Sequence, residues 1–269
     1  MWDANQYLRY AHERSRPFFD LMAQVETESA ETIADLGCGP GHLTRTLAER
    51  WPAATILGVD NSPEMLEQAR ALAIPGRLEF VQADIATWRP DRPLDLLVSN
   101  AALQWLPDHE RLFATLAAML APGGTLAVQM PYHFNSPAHR VIDETVSDSR
   151  WQRLAGLGLH ADSVKPLTWY VERLHGLGFQ VNAWETTYLH VLTGEDAVLD
   201  WLKGTALRPL LAALAPEESG AFLRDVGGRL QAAFPPVAVH TLFPFARIFF
   251  VAALADSTPR EPQPSTSRK

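Results

Sequence analysis

Three features of this 269-residue chain predict an α/β fold: a doubly wound, mostly parallel seven-stranded sheet with an antiparallel last strand and a helical cap insertion. Short apolar strands alternate with amphipathic helices through the first half, as parallel strands joined by right-handed crossovers require. A glycine-rich bend, Gly37-Cys38-Gly39-Pro40-Gly41, separates the first strand from the next helix. The last apolar segment, FARIFFVAAL, is rich in β-formers and follows two helical stretches.

The elements follow in order. From Asp3 to about Met22, Tyr7, Tyr10, Arg14, Phe18 and Leu21 fall on one helical stripe. TIADL (Thr32–Leu36) is a short apolar strand. In GHLTRTLAERW, Leu43, Leu47 and Trp51 recur at helical spacing. TILGVD (Thr55–Asp60) is the second strand. Ser62 caps the helix beyond it, with Pro63 at the first position, where a missing N–H does no harm. That helix runs to about Leu72. LEFVQAD (Leu78–Asp84) and LDLLVSN (Leu94–Asn100) are the third and fourth strands, the latter apolar enough to be covered on both faces. Leu112, Phe113, Leu116, Met119 and Leu120 mark a helix ended by Pro122-Gly123-Gly124, and TLAVQM (Thr125–Met130) is the fifth strand. Residues 133–160 read as loop and helix. Leu167–Leu177 reads as helix, Val181–Val191 as strand, Glu195–Lys203 and about Pro216–Ala233 as helices, and Phe245–Leu254 as the last strand. The two helices between the late strands form the cap. The expected segments are an N-terminal helix or lid (1–26), a ligand-binding core (27–132), a second half with the cap (133–240), the final core strand (241–255) and a Pro-rich disordered tail (256–269).

Composition narrows the partners. Lys and Arg number 23 against 31 Asp and Glu, a net charge of −8, which argues against nucleic acid. The longest apolar run, Ile248 to Ala255, is too short to span a membrane, and the charged N-terminus is not a secretory signal. The single cysteine, Cys38, excludes a disulfide framework. A cytoplasmic monomer acting on a small molecule is the expectation.

The glycine bend lies at the carboxyl end of a parallel strand, where ligands bind in such sheets. Its spacing is G-x-G-x-G rather than the G-x-G-x-x-G of dinucleotide sites, and Pro40 removes one N–H that a pyrophosphate would use. Asp35, just before the bend, repels a pyrophosphate and attracts a sulfonium carrying an α-amino group. Asp60 ends the second strand, where an acid can accept both ribose hydroxyls. Asp84, with Ile85 after it, can bond an adenine amino group and cover the ring. Asn100 leaves the fourth strand over the same edge. Three aspartates at successive strand tips are hard to explain as helix caps.

These residues carry a resemblance. DLGCGPG, VDNSPEML, QADI, VSNAALQWLPDHE and LAPGGTLAVQMP resemble the Rossmann-like methyltransferases that use S-adenosyl-L-methionine (SAM). With QYLRYAHERSRP, WETTYLHVLTGEDAVLDWLKGTALRPLL and FPFARIFFVA, the chain is similar to trans-aconitate methyltransferases over roughly residues 1–255. The resemblance implies that SAM is the cofactor and that one carboxylate of trans-aconitate is converted to a methyl ester. The cofactor set drawn from these motifs is Asp35, Gly37, Cys38, Gly39, Gly41, Asp60, Asn61, Met65, Asp84, Ile85 and Asn100. One of Arg14 and Arg16 is expected at the methionine carboxylate, with Arg16 placed there.

A carboxylate is ionised at neutral pH, so its methylation needs no general base. Alignment of the two reactants can supply up to about 7–11 kcal/mol. The carboxylates that do not react need cationic anchors, and the planar fork of Arg suits them. Arg208 in the GTALRP turn is the first choice, with Arg14 beside it. Arg247 is a further candidate because it sits in an apolar strand, where a charge is costly. Tyr7, Gln104, Trp105, Tyr132 and Trp169 are expected pocket walls. His109 reads as structural. His133 and His139 have a weak metal spacing, and no metal is assigned. The competing readings are methylation of another small molecule or of an acyl-carrier-bound carboxyl, a non-catalytic cofactor-binding module, and a nicotinamide-dependent reductase.

Overall fold

The computed structural model describes residues 11–133, 135–157 and 164–255, with side chains from Ser15 onward. Seven strands form one sheet in the order β3-β2-β1-β4-β5-β7-β6. The strands are β1 (Thr32–Leu36), β2 (Thr55–Asp60), β3 (Leu78–Gln82), β4 (Leu94–Asn100), β5 (Leu120–Pro131), β6 (Phe179–Thr193) and β7 (His240–Leu254). The first five pair in parallel. Only β7 runs against its neighbours, β5 on one side and β6 on the other. The predicted fold class is the observed one. All five residues of β1 are buried, as a central strand covered on both faces demands.

Helices α1 (Ala11–Met22), α2 (His42–Arg50), α3 (Pro63–Arg70) and α4 (His109–Ala117) flank the parallel half. Ser62 caps α3 by accepting from the Met65 N–H at 3.3 Å, and Asp108 caps α4 by accepting from the Arg111 N–H at 3.1 Å. Phe18 and Leu21 of α1 pack with Leu47, Trp51, Ile33 and Phe249 on one face of the sheet. Phe113 and Leu116 of α4 pack on the other face with Tyr170 and Leu174 of α6 (Leu167–Gly176). Each large side chain removed from water contributes about 1.5–3 kcal/mol.

The cap has its own core. Trp201 of α7 (Ala197–Lys203), Leu210 of α8 (Arg208–Ala212) and Phe222 and Leu230 of α9 (Pro216–Ala233) close over Phe243 and Phe245 of β7. Val141 and Ile142 of α5 (Pro137–Val146) join them from the sequence before β6. So the cap holds a third, short helix between the late strands and recruits a fourth.

Several boundaries differ from expectation for physical reasons. β3 stops at Gln82 because Asp84 turns the chain, its carboxylate accepting from the Ala86 N–H at 2.9 Å. β5 begins at Leu120, not Thr125, and the Pro-Gly-Gly stretch is absorbed as a register shift between Leu94 and Leu96. β6 and β7 pair over 15 residues each. Pro244 obscured the start of β7, but it sits exposed in the ladder opposite Leu189. Among the described residues, no helix is long and apolar enough to cross a membrane.

Candidate active site

The order β2-β1-β4 contains the switch point of the sheet, and the bend after β1 lies there. The Gly37 and Cys38 N–H groups donate to the Val59 carbonyl at 2.7 and 3.1 Å, folding the bend over the end of β2. Gly37 has φ +79°, and a Cβ there would stand 2.2 Å from the Ala102 Cβ. Gly39 donates its N–H to Asp60 Oδ2 at 2.9 Å, and a Cβ on it would project into open space. The other Asp60 oxygen accepts from the Ser62 N–H at 2.9 Å. Each carboxylate oxygen keeps a further lone pair.

These groups line a cavity of about 490 Å³. Gly37, Gly39, Pro40, Asp60, Asn61, Met65, Asp84 and Ile85 form one end. Asn100, Ala101, Ala102, Gln104 and Trp105, which follow β4, form the middle. Ala101 holds φ +56°, a conformation costing an L-residue about 1–2 kcal/mol. The Gln104 Nε2 donates to the Ala101 carbonyl at 2.7 Å, which fixes the amide orientation. Its Oε1 and the Asn100 Oδ1 are then buried acceptors with no hydrogen-bond partner. Such groups are rare unless a ligand or water meets them.

The rest of the lining comes from the cap and the late strands: Trp201 and Thr205 from above, His133, Phe245 and Arg247 from the sheet side, His139 from α5, and Arg208 from the cap on the side of Glu64 of α3. Arg208 opens α8 rather than lying in a turn. Its guanidinium is half-buried, and burial lowers its pKa against the pull of Glu64 on α3. Arg247 is 5% exposed, donates to Gln129 Oε1 at 3.2 Å and lies 4.6 Å from the Phe245 ring centre. Burial, with His139 and Arg247 nearby, holds His133 well below the ordinary imidazole pKa. From β2 to β7 is four strand spacings, about 19 Å. One cavity therefore carries carboxylates at the β2 end and Arg247 at the β7 end, with Arg208 on the cap over it.

Not every expected residue lines it. Asp35 is 3% exposed and accepts from the Thr44 hydroxyl at 2.7 Å beneath the bend. Burial pushes its pKa up to about 6, against the Thr44 bond and with a smaller push from Asp60. Cys38 is buried under the bend and packs with Leu66 and Ala69, and burial beside Asp35 and Asp60 raises its thiol pKa. Gly41 begins α2, where a Cβ would meet the Phe80 ring at 2.8 Å, so its role is packing. Arg16 pairs with Asp20 at 3.9 Å and lies 5.1 Å from the Tyr188 ring centre, outside the cavity lining. Tyr132 follows Pro131, and strand alternation turns it to the opposite face, into a second cavity with Lys165 and Thr187. Trp169 packs edge-on against Tyr170, away from the cavity. Tyr7 and the Arg14 side chain lie outside the described residues.

Sequence reasoning left out Trp201, Thr205 and Phe245 and gave no role to His133 or His139. Two histidines just beyond a parallel strand, and an arginine inside an apolar one, were the available signals. Among the described residues, no three His, Cys, Asp or Glu side chains gather as a metal would require.

The donor set fits SAM. Carboxylates at the bend suit a cationic sulfur nucleoside. The Gly39 N–H is already taken by Asp60, and Pro40 has none, so the bend offers little to a pyrophosphate.

Comparison with known proteins agrees. A methyltransferase-domain family model matches residues 33–124. The trans-aconitate 2-methyltransferase of Streptomyces avermitilis is 51% identical over 258 residues, covering 93% of this chain and 96% of that one. The enzyme of that name from Azoarcus sp. is 45% identical, covering 93% and 98%. Among solved structures, a SAM-dependent methyltransferase from Thiobacillus denitrificans in complex with S-adenosyl-L-homocysteine shares the fold, with a TM-score of 0.54 and 19% identity over 88% of this chain and 91% of that one. Site geometry and kinship together place this chain in the trans-aconitate 2-methyltransferase family, among the methyltransferases of Rossmann-like fold.

Proposed function

We propose that the protein moves a methyl group from SAM to one carboxylate of trans-aconitate, yielding a monomethyl ester. One observation carries the reading: a single cavity joins Asp60 and Asp84 to two arginines, Arg208 of the cap and Arg247 of the sheet. Bound SAM supplies an electrophilic methyl group on a positively charged sulfur. Asp60 is the acceptor for the ribose hydroxyls, and Asp84 with Ile85 for the adenine. Asn100 and Gln104 present buried acceptor oxygens between the two ends.

The acid's carboxylate is the nucleophile, and its oxygen forms a bond to the methyl carbon as the carbon–sulfur bond breaks. No side chain has to take a proton, because the nucleophile is already ionised. Arg208 holds a carboxylate that does not react. The cap walls, Trp201 and Thr205 above and Trp105 beside, exclude water and hold the reactants in line. The partner on this reading is a small polycarboxylate in the cytoplasm. The net charge of −8 disfavours nucleic acid.

The test is turnover with SAM on trans-aconitate, cis-aconitate, isocitrate and a neutral phenol, with products read by mass. Monomethyl trans-aconitate and S-adenosyl-L-homocysteine in equal amounts are expected. Transfer to the phenol with none to trans-aconitate would overturn the reading.

A further inference from the structure

We infer that Arg247 is a specificity-determining residue: it holds a second unreactive carboxylate, with Gln129 as its positioning residue, and so selects tricarboxylates over dicarboxylates. The inference rests on the proposed methylation of a polycarboxylate and adds the basis of its selectivity.

Arg247 belongs to the sheet, unlike Arg208 of the cap. Its backbone is paired on both sides, to Pro131 of β5 and Thr186 of β6. Its side chain lines the cavity yet is 5% exposed. Phe245 packs under the guanidinium, and Gln129 accepts one of its N–H bonds at 3.2 Å. Gln129 is wholly buried, and its Nε2 has no hydrogen-bond partner. A buried amide left half satisfied is costly, and the bond that Gln129 does make is the one to the guanidinium.

Burial does most to lower the pKa of His133 and His190; Arg247 adds to both, after His139 at His133, and Arg16 adds to the effect on His190. The Asp20 carboxylate nearby accepts from the Tyr188 hydroxyl at 2.6 Å and pairs with Arg16. A guanidinium fixed in one orientation in a partly dry cavity binds a carboxylate through two N–H bonds. Arg208 and Arg247 reach the same cavity from separate elements, so an acid with two spare carboxylates can engage one with each.

The experiment crosses residue against substrate group. Trans-aconitate is compared with cis-glutaconate and mesaconate, each of which is trans-aconitate less one carboxylate. The variants are Arg247→Met, Arg247→Lys and Gln129→Glu. Arg247→Met is expected to raise the KM for trans-aconitate about 10- to 100-fold, with a smaller change in kcat. On the dicarboxylate lacking the carboxylate that Arg247 meets, the same variant costs far less. Arg247→Lys recovers part of the loss. Gln129→Glu keeps the shape and gives the guanidinium an internal carboxylate. It should fold at least as stably as the parent and still raise the KM for the tricarboxylate selectively. S-adenosyl-L-homocysteine affinity, measured by calorimetry, stays at the parent value in all three.

Equal losses on all three acids, or a parallel loss of nucleoside affinity, would show Arg247 to be structural and overturn the inference while leaving the activity in place. A parent enzyme that methylates none of the three acids would remove the proposed function, and this inference with it.

Discussion

Gly37 and Ala102 touch across the tips of β1 and β4 so closely that a Cβ on Gly37 would fall 2.2 Å from that of Ala102. The contact presses the bend after β1 against the segment after β4. It fixes how closely these two parts of the cavity lining approach one another.

Gly37→Ala is therefore expected to abolish nucleoside binding. The new methyl must displace Ala102, and φ +79° is itself strained for alanine, so stability falls by at least about 1–2 kcal/mol. Calorimetry with S-adenosyl-L-homocysteine and a thermal melt check both effects. Ala102→Gly in the same chain should recover part of the binding, because it removes the atom that clashes.

Asp35 should make the stability of the ligand-free protein pH-dependent. Its folded pKa, about 6, lies above the ordinary 3.8, so the folded protein binds this proton more tightly than the unfolded chain. The native state is favoured below pH 4, and that advantage is lost as pH rises through about 6, to the extent of about 3 kcal/mol. Asp35→Asn keeps an acceptor for Thr44 and removes the charge. Its melting temperature should exceed the parent's at pH 7 and converge with it near pH 4. A bound cation pulls the other way. S-adenosyl-L-homocysteine, with its α-ammonium group, should bind the parent more tightly as pH rises through 6, and the asparagine variant without that trend.

Tyr170 and His109 hold the floor of the site from the opposite face. The Leu103 carbonyl accepts from His109 Nε2 at 3.0 Å, which leaves Nδ1 to accept from the Tyr170 hydroxyl at 2.5 Å. Tyr170 in turn accepts from the Lys165 N–H at 3.1 Å. The turn at 103–105, which carries Gln104 and Trp105, is thereby tied to α6. Tyr170→Phe strands the buried Nδ1 and should cost about 1–3 kcal/mol. Nucleoside KM should rise as the turn loosens, and steady-state kinetics with a melt would show both. A melt unchanged from the parent's would show that the bond contributes nothing.

The end of the cavity lined by Asp60 and Asp84 was legible because its residues sit at strand tips, where a local motif fixes their place. Asp60, Asp84, Gly37 and Gly39 needed only the alternation of strands and helices. The part of the lining that carries the arginines was harder to read, since its residues come together by tertiary pairing. Arg247 faces the cavity because β7 pairs with β5 in one register, and a slip of one residue would turn it away. Tyr132 misled for the same reason, lying one residue past a side chain that does face the site. Asp35 was placed in the right loop, but its carboxylate bonds Thr44 under the bend, a contact that the helix after the bend decides. The cap was legible as helices, yet the closure of α5 onto it depends on packing among Val141, Trp201 and Phe222.

Arg208 tests whether the cap takes part in binding or only covers the site. Its guanidinium reaches the cavity from the first residue of α8 and senses Glu64 across on α3. A charge partly withdrawn from water at a cavity wall gains most when an anion arrives. Arg208→Ala should raise the KM for trans-aconitate about 10- to 100-fold, the range for losing charge-assisted bonds, while nucleoside affinity holds. Arg208→Lys keeps the charge but not the fork, and should fall between. The parent's KM for the acid should also climb with added salt, and the alanine variant's far less, because the screened interaction is already gone. If the alanine variant binds the acid as the parent does, the cap is a lid alone, and the cationic end of the cavity reduces to the sheet's own arginine.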